Sequence, residues 1–329
     1  MGGVSRQAHS ATFPPDRFYC LLDELPLHLM PRPALVARSQ QAGRELFLNP
    51  DCRLYAEGEL PEELASQREI LSAFALQGTI AWLRDASTRF LIPFWLGPKL
   101  GSLVRELQVE EPIPDSVPAS ARPILESAGI LVSADSITRQ HVESEEAMGR
   151  AAELFRKKGY APLHGLIHPF HIAALRRYYR YRIRSGAIPL GDSQSSRRYV
   201  AYNDPVARFF HRQISIPLSA VAGEPVKPSY VYLASYMSGA ELKKHVDREQ
   251  CEFSITMCLD FSPEPALATP WPILLDTPTA TVTVYQALGD GLAYRGTRLP
   301  HYRSKLGDGQ TSTSIFFHYV AADFTGSLD

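Results

Sequence analysis

Tyr230-Val-Tyr-Leu-Ala-Ser-Tyr236, a break at Ser238-Gly239, a short run through Leu242, and then His245-Val246-Asp247 form the stretch that decides the reading of this chain. Aromatic and β-branched residues fill the first segment, which predicts a strand. On a strand, positions i and i+2 face the same way, so His245 and Asp247 can point together at one spot. Working outward, Cys251 to Leu259 alternates small or polar residues with large apolar ones. Trp271-Pro-Ile-Leu-Leu275, Thr281-Val-Thr-Val-Tyr285, a turn at Gly289-Asp290-Gly291, Leu292-Ala-Tyr294 and Ser312 to Val320 follow. Short strands at even spacing, separated by Gly and Pro, predict an antiparallel sandwich or barrel.

A third candidate ligand, His301, stands in Leu299-Pro-His-Tyr-Arg303. His245, Asp247 and His301 together supply two imidazoles and one carboxylate. That set occupies one face of a metal ion and leaves positions open, the arrangement suited to oxygen-activating non-haem iron(II). A His-x-Asp tripeptide alone arises often by chance; here the surrounding strands give it a context. His318 completes nothing that the three lack and reads as a packed or pocket-edge histidine. His164, His168, His171 and His211 read as loop or helix-surface residues, and Asp260, Glu264 and Asp276 as solvated carboxylates in turns.

Tyr236, Gly239, His245-Val246-Asp247, Gly289-Asp290 and His301, in that order, resemble the double-stranded β-helix oxygenases that use iron(II) and 2-oxoglutarate, in particular their prolyl-hydroxylase-like branch. The resemblance covers the chain from about Ser144 to Val320. It implies a hydroxylase that uses Fe(II), the cosubstrate 2-oxoglutarate and O2, and that releases succinate and CO2. Related halogenases carry Gly or Ala in place of the carboxylate, so Asp247 argues for hydroxylation. The branch anchors the far carboxylate of 2-oxoglutarate on a basic residue of a Gly-x-Arg motif after the distal histidine. This chain has Gly309-Gln310-Thr311 there and no Lys or Arg after Lys305. Arg303, two residues past His301 and so on its face of a strand, is the expected replacement, because a guanidinium fork matches a carboxylate. Arg295 is the second candidate. Tyr236 matches a position that lines the cosubstrate pocket in the family.

The chain has 329 residues, 45% hydrophobic and 21% charged, with a net charge of −1, enough for two domains and an ample core. Near-neutral charge without an extended basic face argues against a nucleic-acid partner. The one basic cluster, Arg176 to Arg184, reads as a helix that packs on the barrel with a charged outer face. The four cysteines form no Cys-x-x-Cys pair and no disulfide framework, and no segment reads as a signal peptide or a membrane span, so a cytoplasmic setting is expected.

The expected fold is therefore α+β: residues 139–329 as a jelly-roll or cupin-like double-stranded β-helix buttressed by helices, and residues 1–138 as a mixed α/β accessory domain. In the accessory part, Ala34 to Arg38 and Glu45 to Leu48 read as a hairpin and Cys52 to Tyr55 as a third strand. Helical spacing runs through Ile70, Phe74 and Leu76, and again through Ile80, Trp82 and Leu83. A helix near Leu107, another over 119–128 stopped by Gly129, and a strand over 130–132 follow. This order loosely resembles winged-helix modules that dock leader peptides, and it equally fits a helical cap that stabilises the barrel or a dimer. A peptide or protein side chain, or an amino acid on a carrier partner, is thus one expected substrate. A small metabolite is another, and a cupin-like metal-binding or sensing protein without turnover is the alternative class. The sequence does not indicate an oligomeric state.

Overall fold

The structure is a computed structural model that describes residues 13–31, 45–85, 88–193 and 195–328. The strand expected over Ala34 to Arg38 lies outside the described residues. The first strands in chain order are β1 (Phe47–Leu48), β2 (Cys52–Tyr55), β3 (Thr79–Arg84), β4 (Leu91–Leu96), β5 (Leu131–Val132), β6 (Tyr160–Leu163) and β7 (Arg198–Tyr202). The barrel strands follow: β8 (Val226–Tyr236), β9 (Leu242–His245), β10 (Phe253–Ser262), β11 (Ile273–Asp276), β12 (Thr281–Val284), β13 (Gly291–Arg295), β14 (His301–Arg303) and β15 (Thr311–Ala321).

Strands β8 to β15 divide between two antiparallel sheets. The larger has the order β6-β13-β10-β15-β8-β7 and the smaller β12-β11-β14-β9. Neither sheet closes alone, and the chain passes back and forth between them. That winding is a double-stranded β-helix, a jelly roll whose two inner faces meet. The α+β expectation and the barrel strands therefore hold, from the Tyr230 segment to the last strand.

Period-two alternation sorts the long strand β15. Ile315, Phe317 and Tyr319 join the core that faces the helices, whereas Phe316 packs inside the barrel with Tyr236 and Trp271. Three long helices, Ser136–Lys158, Pro169–Arg184 and Pro205–Ala222, support the outer face. Asp204 caps the last of them by accepting from the backbone of Val206 and Ala207. Pro217 lies inside that helix without ending it, because Val221, Leu218 and Ile214 around it are buried. The helix expected from Ser144 begins earlier, at Ser136, where the Ser136 hydroxyl accepts from the Ser133 amide. The polar stretch 133–138 thus contains the helix start.

The N-terminal segment adds a three-stranded sheet, β2-β3-β4, and the small pair β1-β5. Here one expectation fails: Ile80, Trp82 and Leu83 lie on strand β3, not on a helix. All of β4 and the middle of β3 are buried, so neither shows the alternation of a half-exposed strand. The helix expected through Phe74 and Leu76 stops at Leu71. The sheet packs on the helices: Phe94 lies 4.8 Å from the His171 ring, and Trp82 lies 6.2 Å from Phe209. One hydrophobic cluster therefore runs from Phe18 through Trp95 and Phe210 to Tyr319, across the expected boundary at 138/139.

Most arginines of the basic cluster work inward, Arg184 excepted. Arg176 is fully buried and pairs with Asp260 at 2.9 Å and Glu264 at 2.7 Å, Arg180 also pairs with Asp260, and Arg182 with Asp204. Asp260 and Glu264 are thus clamps between helix and barrel, and Asp276 pairs with Lys244 at 2.6 Å; none of the three is merely solvated. His171 and His211 are buried rather than on the surface, and they hydrogen-bond the backbone carbonyls of Pro93 and His318.

Candidate functional site

Strand pairing explains how residues so distant in sequence meet. In the antiparallel pair β9–β14, His245 stands directly opposite His301, with ring centroids 4.4 Å apart. Asp247 lies just beyond β9 and not on it, as strand spacing alone had suggested. Its amide donates to the Gly296 carbonyl at 2.9 Å, and this turns the carboxylate back toward the two rings. Asp247 Oδ1 then sits 3.6 Å from His245 Nε2 and 3.5 Å from His301 Nε2. One ligand atom from each of the three lies within 4.8 Å of the others, so the group can hold a single metal ion.

The surrounding hydrogen bonds fix the tautomers. His245 Nδ1 lies 2.7 Å from the Lys243 carbonyl and His301 Nδ1 3.0 Å from the Leu299 carbonyl. A carbonyl only accepts, so both Nδ1 atoms carry the hydrogen and both Nε2 lone pairs face Asp247. Burial works against ionisation of Asp247, but the hydrogen bond from Ser254 and the polar surroundings of the His301 and His318 rings outweigh it and hold its pKa below the ordinary value. Ser254 donates to Asp247 Oδ2 at 2.9 Å. Its oxygen must then accept from His318 Nδ1, also at 2.9 Å, which leaves His318 Nε2 as a bare acceptor. Burial pushes the His318 pKa down to about 4, so the ring is neutral. His318 is thus a buried, positioning neighbour of the triad, although Asp247, Cys251 and His318 also lie close enough together to form a ligand group.

Gly296 was not singled out by sequence, and only the fold shows its role. A Cβ placed there would meet Asp247 Oδ2 at 2.3 Å and the Cys251 carbonyl at 2.4 Å. The Asp247 carboxylate occupies the space that a side chain at 296 would need.

Deeper in the barrel lies Arg303, buried on the same strand as His301. Its guanidinium donates to the Trp271 carbonyl and, at 2.9 Å, to Gln286 Oε1, and it stacks on the Trp271 ring at 4.9 Å. Among the described residues it has no carboxylate partner, and burial pulls its pKa down. Tyr294 links this end to the metal group: its hydroxyl is 3.4 Å from His301 Nε2, and its phenol, raised chiefly by burial, feels the charges of both Asp247 and Arg303. Tyr236 is fully buried against Trp271, which raises its phenol pKa, and the Arg198 guanidinium beside its hydroxyl works in the opposite direction. Thr256 Oγ1, Ser314 Oγ and His318 Nε2 on the neighbouring strands have no hydrogen-bond partner among the described residues. Arg295 is not part of this group. It is the neighbour of inward-facing Tyr294 and so points to the other face, where it lies over Phe155 and Phe253 and 3.8 Å from Glu224.

The site opens outward. His245 is 40% exposed and lines a cleft of about 670 Å³ bounded by Ser195 to Arg198, Gly239 to Lys243 and Lys305. All four cysteines are buried and unpaired, and no helix of the described residues is long and apolar enough to cross a membrane.

No protein-family model and no curated protein matches the sequence. Over about its C-terminal half the chain is similar to several solved structures. The non-heme alpha ketoglutarate dependent epimerase SnoN from nogalamycin biosynthesis is 14% identical, with a TM-score of 0.46 over 54% of this chain and 82% of that one. AviO1 from Streptomyces viridochromogenes is 18% identical, with a TM-score of 0.45 over 55% and 97%. A prolyl-4-hydroxylase of Pseudomonas putida is 15% identical, with a TM-score of 0.43 over 52% and 98%.

Proposed function

We propose that this protein is an iron(II)- and 2-oxoglutarate-dependent oxygenase that hydroxylates an unactivated C–H bond and releases succinate and carbon dioxide. The observation that carries the reading is the pairing of two anomalies in one barrel. Three ligands converge with their lone pairs already aimed, and a buried guanidinium without a carboxylate lies beyond them. A buried cation that lacks a counter-charge is costly, and a dicarboxylate bound inside the barrel supplies that charge.

In this reading His245, Asp247 and His301 hold the metal, and Arg303 takes the far carboxylate of 2-oxoglutarate. The bound iron and cosubstrate supply oxygen activation and C–H cleavage. The chain's own residues do the rest. The Lys243 and Leu299 carbonyls lock the imidazoles, and Ser254 and His318 orient the free oxygen of Asp247. Tyr236, Thr256 and Ser314 offer hydroxyls to a polar guest, while Trp271, Leu292 and Phe316 keep water out. Asp247 keeps a carboxylate on the metal, which favours hydroxylation. In this reading substrate enters through the outer cleft, which the exposed edge of His245 borders.

Anaerobic addition of iron(II) and 2-oxoglutarate to the purified protein tests this. The weak visible charge-transfer band of the chelate is expected, and it should vanish in His301→Ala. In Arg303→Met it should appear only at much higher 2-oxoglutarate, with iron binding intact. Iron uptake without the band in the wild-type protein would sink the reading.

A further inference from the structure

The outer cleft is more positively charged than the rest of this near-neutral chain leads one to expect. Arg197, Lys243 and Lys305 line it against a single carboxylate, Glu241. The neighbouring cations are already neutralised: Arg198 pairs with Asp192 at 2.6 Å and Lys244 with Asp276 at 2.6 Å. Among the described residues, Arg197, Lys243 and Lys305 form no ion pair. Arg197 spends one N–H on the Ser238 carbonyl at 3.0 Å, which holds its guanidinium beside Gly239 at the cleft wall. The three cations come from three separate segments, the loop before β7, strand β9 and the loop after β14, and they converge on the cavity that His245 borders. A volume of about 670 Å³ is the size of a small-molecule site.

We infer that the substrate is a small molecule carrying an anionic oxygen group, a carboxylate or a phosphate, held in this cleft by Arg197, Lys243 and Lys305 while the carbon to be oxidised faces the His245 side. The inference rests on the proposed oxygenase reading for the reaction, but the anion site itself is independent of it. Arg197 suits a planar or tetrahedral oxyanion through its fork, and the two lysines add mobile point charges. Glu241 on the same wall selects against a guest whose charge is spread over the whole molecule.

Phenyl phosphate, benzoate and neutral benzyl alcohol are the probes. With metal-free protein, the phosphorus-31 signal of phenyl phosphate should broaden. Arg197→Ser/Lys243→Ser/Lys305→Ser, which alters exposed or wall side chains only, should bind it roughly tenfold more weakly, as the loss of three partly exposed charges implies. Benzyl alcohol should bind weakly to both forms, and the ratio of phenyl phosphate to benzoate affinity tells which oxyanion the cleft prefers. Manganese(II) is then added, and its uptake is checked against His301→Ala. Bound manganese should speed phosphorus relaxation in the wild-type protein and much less in the triple variant. Equal binding of phenyl phosphate by wild type and variant would overturn the inference. So would bound manganese that leaves the phosphorus relaxation unchanged. Failure of manganese to bind at all would instead remove the oxygenase reading, and the metal-free titration would still decide the cleft.

Discussion

The two faces of the large sheet are built from the same strands and behave differently. Toward the helices, Ile315, Phe317 and Tyr319 enter an apolar cluster, and the polar atoms next to the sheet are matched: Tyr319 donates to the His211 carbonyl at 2.9 Å, and His211 reaches the His318 carbonyl at 2.8 Å, whereas Trp82 Nε1 and His171 Nδ1, farther from the sheet, have no partner among the described residues. Toward the barrel interior, one residue along each strand, Ser314, His318 and Thr256 present buried polar atoms without partners among the described residues, and Arg303 presents a charge with no carboxylate among them. Folding explains the first face. The second makes sense as a surface built for a polar guest, because unmatched buried polar groups cost stability and persist where function needs them.

The comparison breaks if both faces respond alike to substitution. Phe317→Ala, on the helix side, should cost about 3–5 kcal/mol in urea unfolding and do so equally with or without metal and 2-oxoglutarate. Arg303→Met should do the reverse. The metal-free protein should change little in Tm, since removing a buried charge without a counter-charge offsets the hydrogen bonds lost at the Trp271 carbonyl and Gln286. Its affinity for 2-oxoglutarate should fall by roughly 3 kcal/mol, about a hundredfold, in an equilibrium titration. A destabilised Arg303→Met with unchanged cosubstrate binding would make the arginine part of the scaffold.

Acid probes the helix side further. Burial holds the pKa of both His171 and His211 down to about 3, far below that of an exposed histidine. The unfolded chain therefore binds protons that the folded one refuses. These histidines contribute stability that is fully present above pH of about 6.5 and is lost as pH falls toward about 3, at about 1.4 kcal/mol per pH unit for each ring. Urea unfolding across that window should show the slope, and His171→Leu should flatten it by one ring's share. An unchanged slope would show that His171 charges without leaving the core.

How far these features could be read from the sequence depended on whether their cause was local. His245, Asp247 and His301 were legible because strand period and ligand chemistry agree, although β9 ends at His245 and a loop delivers Asp247. The burial of Arg303 on β14 beside His301 followed from the same two-residue step. Strand β3 was not legible, because Ile80 to Leu83 is buried on both faces and an unbroken apolar run fits either period. His171 and His211 were misplaced because their burial comes from partners on other elements, Pro93 and the last strand. Asp260 and Glu264 looked like turn carboxylates until Arg176, 84 and 88 positions away, was seen between them. Gly296 had no signature at all, since its reason is the Asp247 carboxylate beside it.

That glycine sharpens the comparison at the metal group. Gly296→Ala should push the carboxylate out of line and lower metal affinity by roughly 10–100-fold, as loss of a ligand's supporting contacts does. The fold should survive, and the triad residues remain in place chemically, so a competition titration with a metal-responsive dye separates this from unfolding. Full affinity in Gly296→Ala would mean that the loop after β9 adapts freely and that Asp247 is not held where the structure has it.

The smallest effect is the finest test of the inner face. Ser314 Oγ and Thr256 Oγ1 are buried and unbonded, so their removal should not harm the metal-free protein. Ser314→Ala and Thr256→Val should each leave its stability unchanged or raise it by up to ~1 kcal/mol, because an unmatched hydroxyl loses more to desolvation than it returns. With metal and 2-oxoglutarate bound the sign should reverse if either hydroxyl reaches the guest, and the added stabilisation by ligand should shrink in the variant. Measuring Tm with and without ligand for each variant therefore maps which wall of the barrel the cosubstrate touches. A loss of stability in the metal-free state would instead place these hydroxyls in the scaffold, as Phe317 is on the opposite face.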